Sequence, residues 1–294
     1  MAERQRRKQK RIRRESVSSF AGRWVLRLFL YFWGVTILFP TVWMISSSFK
    51  RPKEFMMDVW AWPKDVYLVN YIKAWVQADM AKYVLNTLFL AVGTVLLYFL
   101  IVSSTSYILA KYDFRLKRFF RGFYFVAMMI PSILVLVPLY FQLESVKTGF
   151  TDHLPTLMVV YAIQAIPGTI FLLTGVIGGI NNSFVEAALI DGASQWKIYT
   201  RIIIPFTKPV LFFLCLTNFM GTWNEYTTAL TFLTSETHYT ISIGLQRMTS
   251  IFSYGNEHGA VFAGLVISML PILIIYAVFQ KQILHGTDAG EGLK

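Results

Sequence analysis

Charged residues are scarce in this 294-residue chain: only 15% are Asp, Glu, Lys or Arg, against 55% hydrophobic, and the mean hydropathy is +0.51. Soluble domains run near a quarter charged, so the composition argues against a cytosolic enzyme. It also excludes disorder over most of the length, which needs low hydrophobicity and high charge. Cysteine is nearly absent. Cys215 stands alone, so no intrachain disulfide and no cysteine metal cluster can form. The four histidines (His153, His238, His258, His285) are too scattered for an HExxH-type zinc site. The GxxxxGK[ST] phosphate loop is missing, so the chain is not itself a P-loop ATPase.

What the chain has instead is long apolar runs. A bilayer core of about 30 Å needs roughly 20 apolar helical residues. Six stretches meet that demand: Leu28 to Ser47, Val84 to Ala110, Phe119 to Leu143, Pro155 to Ile180, Val210 to Leu233 and Gly259 to Phe279. Lipid offers no partner to a free backbone group, so the spans are read as helices. A transmembrane barrel needs alternating strands of about ten residues, and runs such as LVISMLPILIIYAVF do not alternate. The first stretch is too long for a removable signal peptide and lacks a small-residue cleavage site, so it reads as a retained span.

The net charge of +12 is unevenly placed. Residues 1–27 hold ten Lys/Arg against two acids, Lys111 to Arg121 hold five against Asp113, and the segment between spans four and five holds Lys197, Arg201 and Lys208. The segment between spans three and four has only Lys147, and that between five and six only Arg247. The positive-inside rule then puts both termini in the cytoplasm. One count runs the other way: the segment between spans one and two carries Lys50, Arg51, Lys53, Lys64, Lys73 and Lys82 against four acids. The N-terminal run RQRRKQKRIRRES has the composition of a nucleic-acid arm, but orientation and attraction to anionic lipid explain it more simply, and no nucleic-acid partner is expected.

Pro40, Pro131, Pro138, Pro167 and Pro271 fall inside spans, where each removes a backbone hydrogen bond and tends to kink its helix. Gly175 and Gly179, four apart on span four, suit close approach of another helix. Span five ends TNFMGTWNEY, which places Glu225 in or near the hydrocarbon zone. An acid there faces a bundle interior or a wet cavity as a rule. Trp223, Asn224, Glu225 and Tyr226 are therefore candidates for a substrate pathway, with interface anchoring or helix–helix hydrogen bonding as the other reading.

The segment Asn181 to Pro209, NNSFVEAALIDGASQWKIYTRIIIPFTKP, is too polar to cross the bilayer yet not loop-like. Glu186 to Asp191 favours a helix, with Ala187 and Ala188 giving a slim surface. Gly192 suits the left-handed position that ends a helix. Ser194 suits the cap of a second one, running over Lys197 to Ile204, and Pro205 and Pro209 are expected to break or re-aim the chain before span five. Trp196 and Tyr199 are aromatic anchors. The pattern predicts a helix–turn–helix element that docks a partner; an amphipathic surface helix is the plainer alternative.

EAALIDGASQWKIYTRIIIP resembles the EAA motif of binding-protein-dependent ABC importers, with Glu186, Ala187, Ala188, Asp191, Gly192, Ala193, Ser194 and Pro205 in place. NTLFLAVGT with SYILAKYDF, MMIPSILVLVPLY and WNEY are similar to spans two, three and five of the carbohydrate-type permeases, above all the smaller, six-span permease of the maltose-type transporter. The resemblance implies an all-α membrane protein of the ABC importer permease fold: a tail over 1–27, six transmembrane helices over 28–279 with a coupling loop at 181–209, and a tail over 280–294, both tails cytoplasmic. It implies a multi-pass protein of a bacterial or archaeal cytoplasmic membrane. The coupling helix, with Glu186 to Ser194 and Trp196, would seat in a cytoplasmic ABC ATPase. The implied partners are a second homologous permease, a dimer of ATPase subunits, an extracytoplasmic solute-binding protein and membrane lipid. The chain is expected to bind no cofactor and no metal and to catalyse no reaction; ATP and Mg belong to the ATPase subunits. The substrates implied are sugars or oligosaccharides. The rival class, an ion-coupled secondary transporter, would rely on intramembrane acids. Glu225 is the only clear acid within a span, and no second half repeats the first.

Overall fold

The computed structural model describes residues 2–145 and 150–291, so Lys147 and the last three residues of the C-terminal tail lie outside the described residues. Every regular element among the described residues is helical. Five helices are long and apolar enough to cross a membrane, six if one sharply bent pair counts as a span. The first span occupies Gly22–Ser48 of α1 (Ala2–Ser48). Two short helices, α2 (Pro52–Met57) and α3 (Val69–Ile72), lead through a wide helical turn at Lys73–Gln77 to α4 (Met80–Lys111), the second span.

The third span departs from the sequence expectation of one run over Phe119 to Leu143. It is two helices, α5 (Lys117–Met129) and α6 (Ser132–Ser145), meeting at 98°. The cause is local. Pro131 disfavours helical backbone at the residue before it, and Ile130 takes φ −80°, ψ 116°. Pro40, Pro138, Pro167 and Pro271, by contrast, lie inside helices that continue through them.

The fourth span is α7 (Leu154–Gly178), followed by α8 (Asn182–Ile190). The fifth is a second correction. The expected break at Pro205 and Pro209 does not occur: α9 (Gln195–Ile198) runs through a wide, π-helical turn at Tyr199–Ile203 into α10 (Ile204–Asn224), a 30-residue helical span in all. A proline ring clashes with the turn before it, and a widened turn relieves that conflict without ending the helix. The span also stops earlier than Leu233. It ends at Asn224, and α11 (Thr227–Phe232) is a separate short helix. The chain closes with α12 (Ile241–Tyr254) and α13 (His258–Glu291), whose apolar part, His258–Gln280, is the last span.

In lipid, apolar contact between helices gains little by transfer, so association rests on close packing and interhelical hydrogen bonds. Both are present. α4 packs most extensively on α7 and α10. At Gly93 a Cβ would lie 2.2 Å from Met158 Cε, so the tip of that methionine on α7 packs directly onto the α4 backbone. Tyr98 donates to Thr169 Oγ1 (2.7 Å), and Trp223 Nε1 to the Ser268 carbonyl (3.1 Å). Val102, Ile170, Leu173, Ile177, Ile198, Ile203 and Leu211 form the buried cluster at the end of the bundle that carries α8 and α9.

Candidate functional site: a braced helix–turn–helix knuckle

α8 begins with a cap. The Asn181 side chain accepts from the Ser183 backbone N–H at 3.0 Å. The helix ends in a closed left-handed turn: Gly192 has φ +73°, its N–H reaches the Leu189 carbonyl (3.0 Å), and the Ala193 N–H reaches back to Ala188 (2.9 Å). That pair of bonds is the Schellman pattern, and glycine suits its left-handed position because it has no Cβ. Ser194 then caps α9, its hydroxyl accepting from Lys197 N–H at 3.3 Å. The predicted helix, turn and capped helix are all in place, and the second helix is the start of the fifth span itself.

The knuckle is seated and braced. Val185, Ala188 and Ala193 pack against the buried cluster below. Phe184 contacts Phe206 on α10 at 5.2 Å between ring centroids. Lys111, the last residue of α4, donates to the Ile180 carbonyl (2.5 Å) and to Asn182 Oδ1 (2.7 Å). Gln195 Oε1 accepts from both Tyr107 (3.2 Å) and Tyr112. Ser103 and Tyr199 share a hydrogen bond of 2.6 Å. The sequence pattern did not single out Asn181, Lys111 or Gln195 for these roles.

The outward side is bare. Ile190 is 87% exposed and Trp196 72%, with Leu189 and Phe184 also exposed. Glu186, Ala187 and Asp191 face solvent, and neither acid has an ion-pair partner among the described residues. Trp196, Tyr199, Tyr107, Tyr112 and Phe114 wall an aromatic recess of about 600 Å³ beside the turn. Large apolar side chains exposed on a polar, non-spanning segment mark a contact surface.

The second set of candidates sits at the opposite turn of the fifth span. Glu225 lies at the break between α10 and α11 and not within a helix. Its carboxylate accepts from Tyr161 Oη (2.7 Å) and from the N–H groups of Thr228 (2.7 Å) and Ala229 (3.0 Å). It therefore satisfies the open end of α11 and ties it to α7. Trp223 is only 2% exposed, packed against Phe219 and bonded to Ser268 on α13. Asn224 is exposed and bonds back to Met220 (2.8 Å), and Tyr226 packs partly on the cluster around Phe232. These four residues are adjacent in sequence, but the break between the helices points them to different neighbours. Nearby, the α5–α6 bend opens an apolar cavity of about 660 Å³ against α7, lined by Ile130, Val135, Leu139, Val159 and Ile163, with Gln164 as a polar group. Among the described residues no group of His, Cys, Asp or Glu could hold a metal ion.

At that same end, Asp152 binds two segments together. Its backbone is left-handed (φ 59°), its N–H donates to Phe232, and its carboxylate accepts from the Thr234 and Ser235 N–H groups (2.9 and 3.0 Å) and the Ser235 hydroxyl. His238 Nδ1 stands 3.4 Å away. Burial pushes the carboxyl up, but the hydrogen bonds from Ser235 and Thr234, with His238 close by, outweigh it and hold its pKa at about 2.

A bundle of apolar helices interrupted by one braced, solvent-exposed knuckle is the arrangement of a multi-pass membrane protein. Residues 102–286 match the family described as binding-protein-dependent transport system inner membrane component, and the chain belongs to that family. Among its relatives, the diacetylchitobiose uptake system permease protein NgcG of Streptomyces coelicolor is 30% identical over 261 residues, covering 89% of this chain and 86% of the relative. The multiple sugar-binding transport system permease protein MsmG of Streptococcus mutans is 29% identical over 271 residues, covering 88% and 96%. A chain in the crystal structure of a bacterial ABC transporter involved in alginate import superposes with a TM-score of 0.79 at 23% identity, over 87% of this chain and 94% of that one, and shows the same fold.

Proposed function

We propose that this chain is one permease subunit of an ABC importer for sugars or oligosaccharides. It pairs with a second, homologous permease. Its knuckle, Glu186 to Trp196, seats in a dimer of cytoplasmic ATPase subunits, and these bind ATP and Mg and carry out the hydrolysis. An extracytoplasmic solute-binding protein delivers substrate at the other end. Residues 1–27 and 280–294 are cytoplasmic segments flanking the transmembrane domain of 28–279, in a bacterial or archaeal cytoplasmic membrane.

The observation that carries this reading is mechanical. The knuckle is tied to α4 by Lys111 and Gln195, and its second helix, beyond the closed turn at Gly192, runs without a break into the fifth span. A displacement of α8 by a moving partner therefore travels into the bundle as motion of a stiff body. Coupling requires that the partner contact the two states of the bundle differently, and a stiff link with a bare apolar surface meets that need. Sugar as substrate class is supported by the names of the relatives NgcG and MsmG. The cytoplasmic placing is supported by the flanking cations, and three of the six cations that count against it are engaged within the fold: Lys50 with the Val59 carbonyl, Arg51 with Asp65 and Lys73 with Glu257. An ion-coupled transporter finds no support here, since Glu225, its one intramembrane acid, is held by three hydrogen bonds.

The test is transport-linked ATP hydrolysis by the assembled complex. Gly192→Pro cannot adopt the φ of +73°, and Glu186→Lys reverses an exposed charge on the docking face. Both variants are expected to insert normally and to lower substrate-stimulated hydrolysis and uptake. Normal uptake in both would sink the assigned role.

A further inference from the structure

We infer that α6 is a strap, hinged at Ile130–Pro131 and able to close onto α7, and that the hydrogen bond from Tyr161 to Glu225 is the latch that holds it open.

The bent third span divides its halves between different neighbours. α5 stays with α7: Phe125 meets Phe171 at 5.5 Å between ring centroids, and a Cβ on Gly168 would lie 3.9 Å from Met128 Cβ. α6 leaves α7 and rests on α11. Tyr140 meets Phe232 edge-on at 5.7 Å, and Leu136 is buried in the cluster that holds Ala229 and Phe232. The cavity of about 660 Å³ is the space left between α6 and α7. A helix interior resists bending because its N–H groups are bonded one turn back. Ile130 and Pro131 stand between the two helices: Ile130 is extended and Pro131 has no N–H, so the angle can change there without opening an interior helical bond. Pro167, which removes a bond from α7, lines the same cavity, so the facing wall is softest at the level of the hinge.

The two walls suit closure. Val135 and Leu139 line the α6 side, and Val159 and Ile163 the α7 side. Apart from Ser132, Thr156 and Gln164 the lining is apolar. Three polar side chains do not replace the hydrogen bonds that a sugar makes to water, so the cavity is not a resting place for substrate. Apolar walls brought together expel water, as hydrophobic constrictions do when they gate.

The drive comes from the fifth span. α10 ends at Asn224, Glu225 is extended (φ −68°, ψ 131°), and α11 follows from Thr227. Tyr161 Oη donates to Glu225 at 2.7 Å and ties this joint to α7. Asp152 holds the other end of α11 through its N–H to the Phe232 carbonyl and serves as the pivot. While the latch is made, a stroke along α10 is passed to α7. Once it opens, α11 turns about Asp152 and carries α6 over the cavity. The drive rests on the coupling stroke proposed above; the hinge, the cavity and the latch belong to this chain alone.

A pair of cysteines tests it: Leu139→Cys with Ile163→Cys, in the assembled transporter with Cys215 replaced by serine. A short bifunctional methanethiosulfonate joins them, and reductant releases them. The yield is expected to differ several-fold between the nucleotide-free and ATP-bound complex. The joined complex is expected to lose uptake and to regain it on reduction. Tyr161→Phe is expected to raise the nucleotide-free yield about tenfold, the effect of one hydrogen bond to a charged group. Equal yields with and without nucleotide, no joining in either state, or full uptake by the joined complex each overturns the strap. An unchanged yield in Tyr161→Phe overturns the latch. A photo-crosslinker at Val135 that couples to the second permease in both nucleotide states also overturns the strap, because that chain then fills the cavity. If the unmodified complex shows no ATP-driven uptake, the importer reading fails, while the effect of Tyr161→Phe on the yield still decides the strap.

Discussion

Asp152 gathers four polar contacts from one short stretch, Thr234 to His238, and so fixes the turn between α11 and α12 to the entry of α7. Its carboxyl is held at about 2, below the 3.8 of a free aspartate. A depressed carboxyl contributes stability that is fully present above its unfolded value and is lost as pH falls through the folded one. The stabilisation is therefore complete above about pH 4 and disappears toward pH 2. Amide exchange over residues 233–238 is expected to be faster in Asp152→Asn than in the wild type at pH 7, with the difference vanishing as pH approaches 2; equal exchange at pH 7 would contradict the role. Residue roles of this kind divide by how local they are. Gly192 and Ser194 are legible in the sequence because their partners lie within five residues, and the same rule reaches Asn181. Lys111 and Gln195 are not, because 69 and 83 residues separate them from Ile180 and Tyr112 and only packing brings them together. The bond of Trp223 is hidden from the sequence for the same reason: its indole partner is on α13, 45 residues away.

Among the elements, the helices that a single apolar run defines are read correctly, and the errors cluster at prolines and at the ends of spans. Pro131 breaks a span because the residue before it leaves helical geometry; Pro205 does not, because a wide turn at Tyr199–Ile203 precedes it. Proline content alone does not separate the two cases, since the difference lies in the backbone around each ring. Continuity at Pro205 is what makes the knuckle part of a span and not a hinged loop. Its stiffness rests on caps, and a serine cap is worth about 1 kcal/mol. Ser194→Ala is expected to leave assembly intact, to speed amide exchange at residues 195–198 several-fold, and to raise the ATP hydrolysed per substrate moved. An unchanged ratio would show that the cap plays no part in coupling.

At the level of the whole molecule, the proposed role is a mechanical one. The described residues offer no metal cluster, and the single intramembrane acid that sequence reading could have assigned to ion coupling caps a short helix. The two ends of the bundle differ in kind. One is closed by Asp152 and by the Lys73–Glu257 pair at 2.5 Å; the other presents a bare, braced knuckle. The central claim is that this knuckle meets a nucleotide-hydrolysing partner in the cytoplasm. Cross-linking tests it most directly, with a cysteine at Ile190, the most exposed apolar residue of α8, in a chain whose Cys215 has been replaced by serine. A cross-link to the ATPase subunit whose yield changes with bound nucleotide is the predicted result; labelling of that cysteine from the extracytoplasmic side of intact cells, with no ATPase adduct, would contradict it.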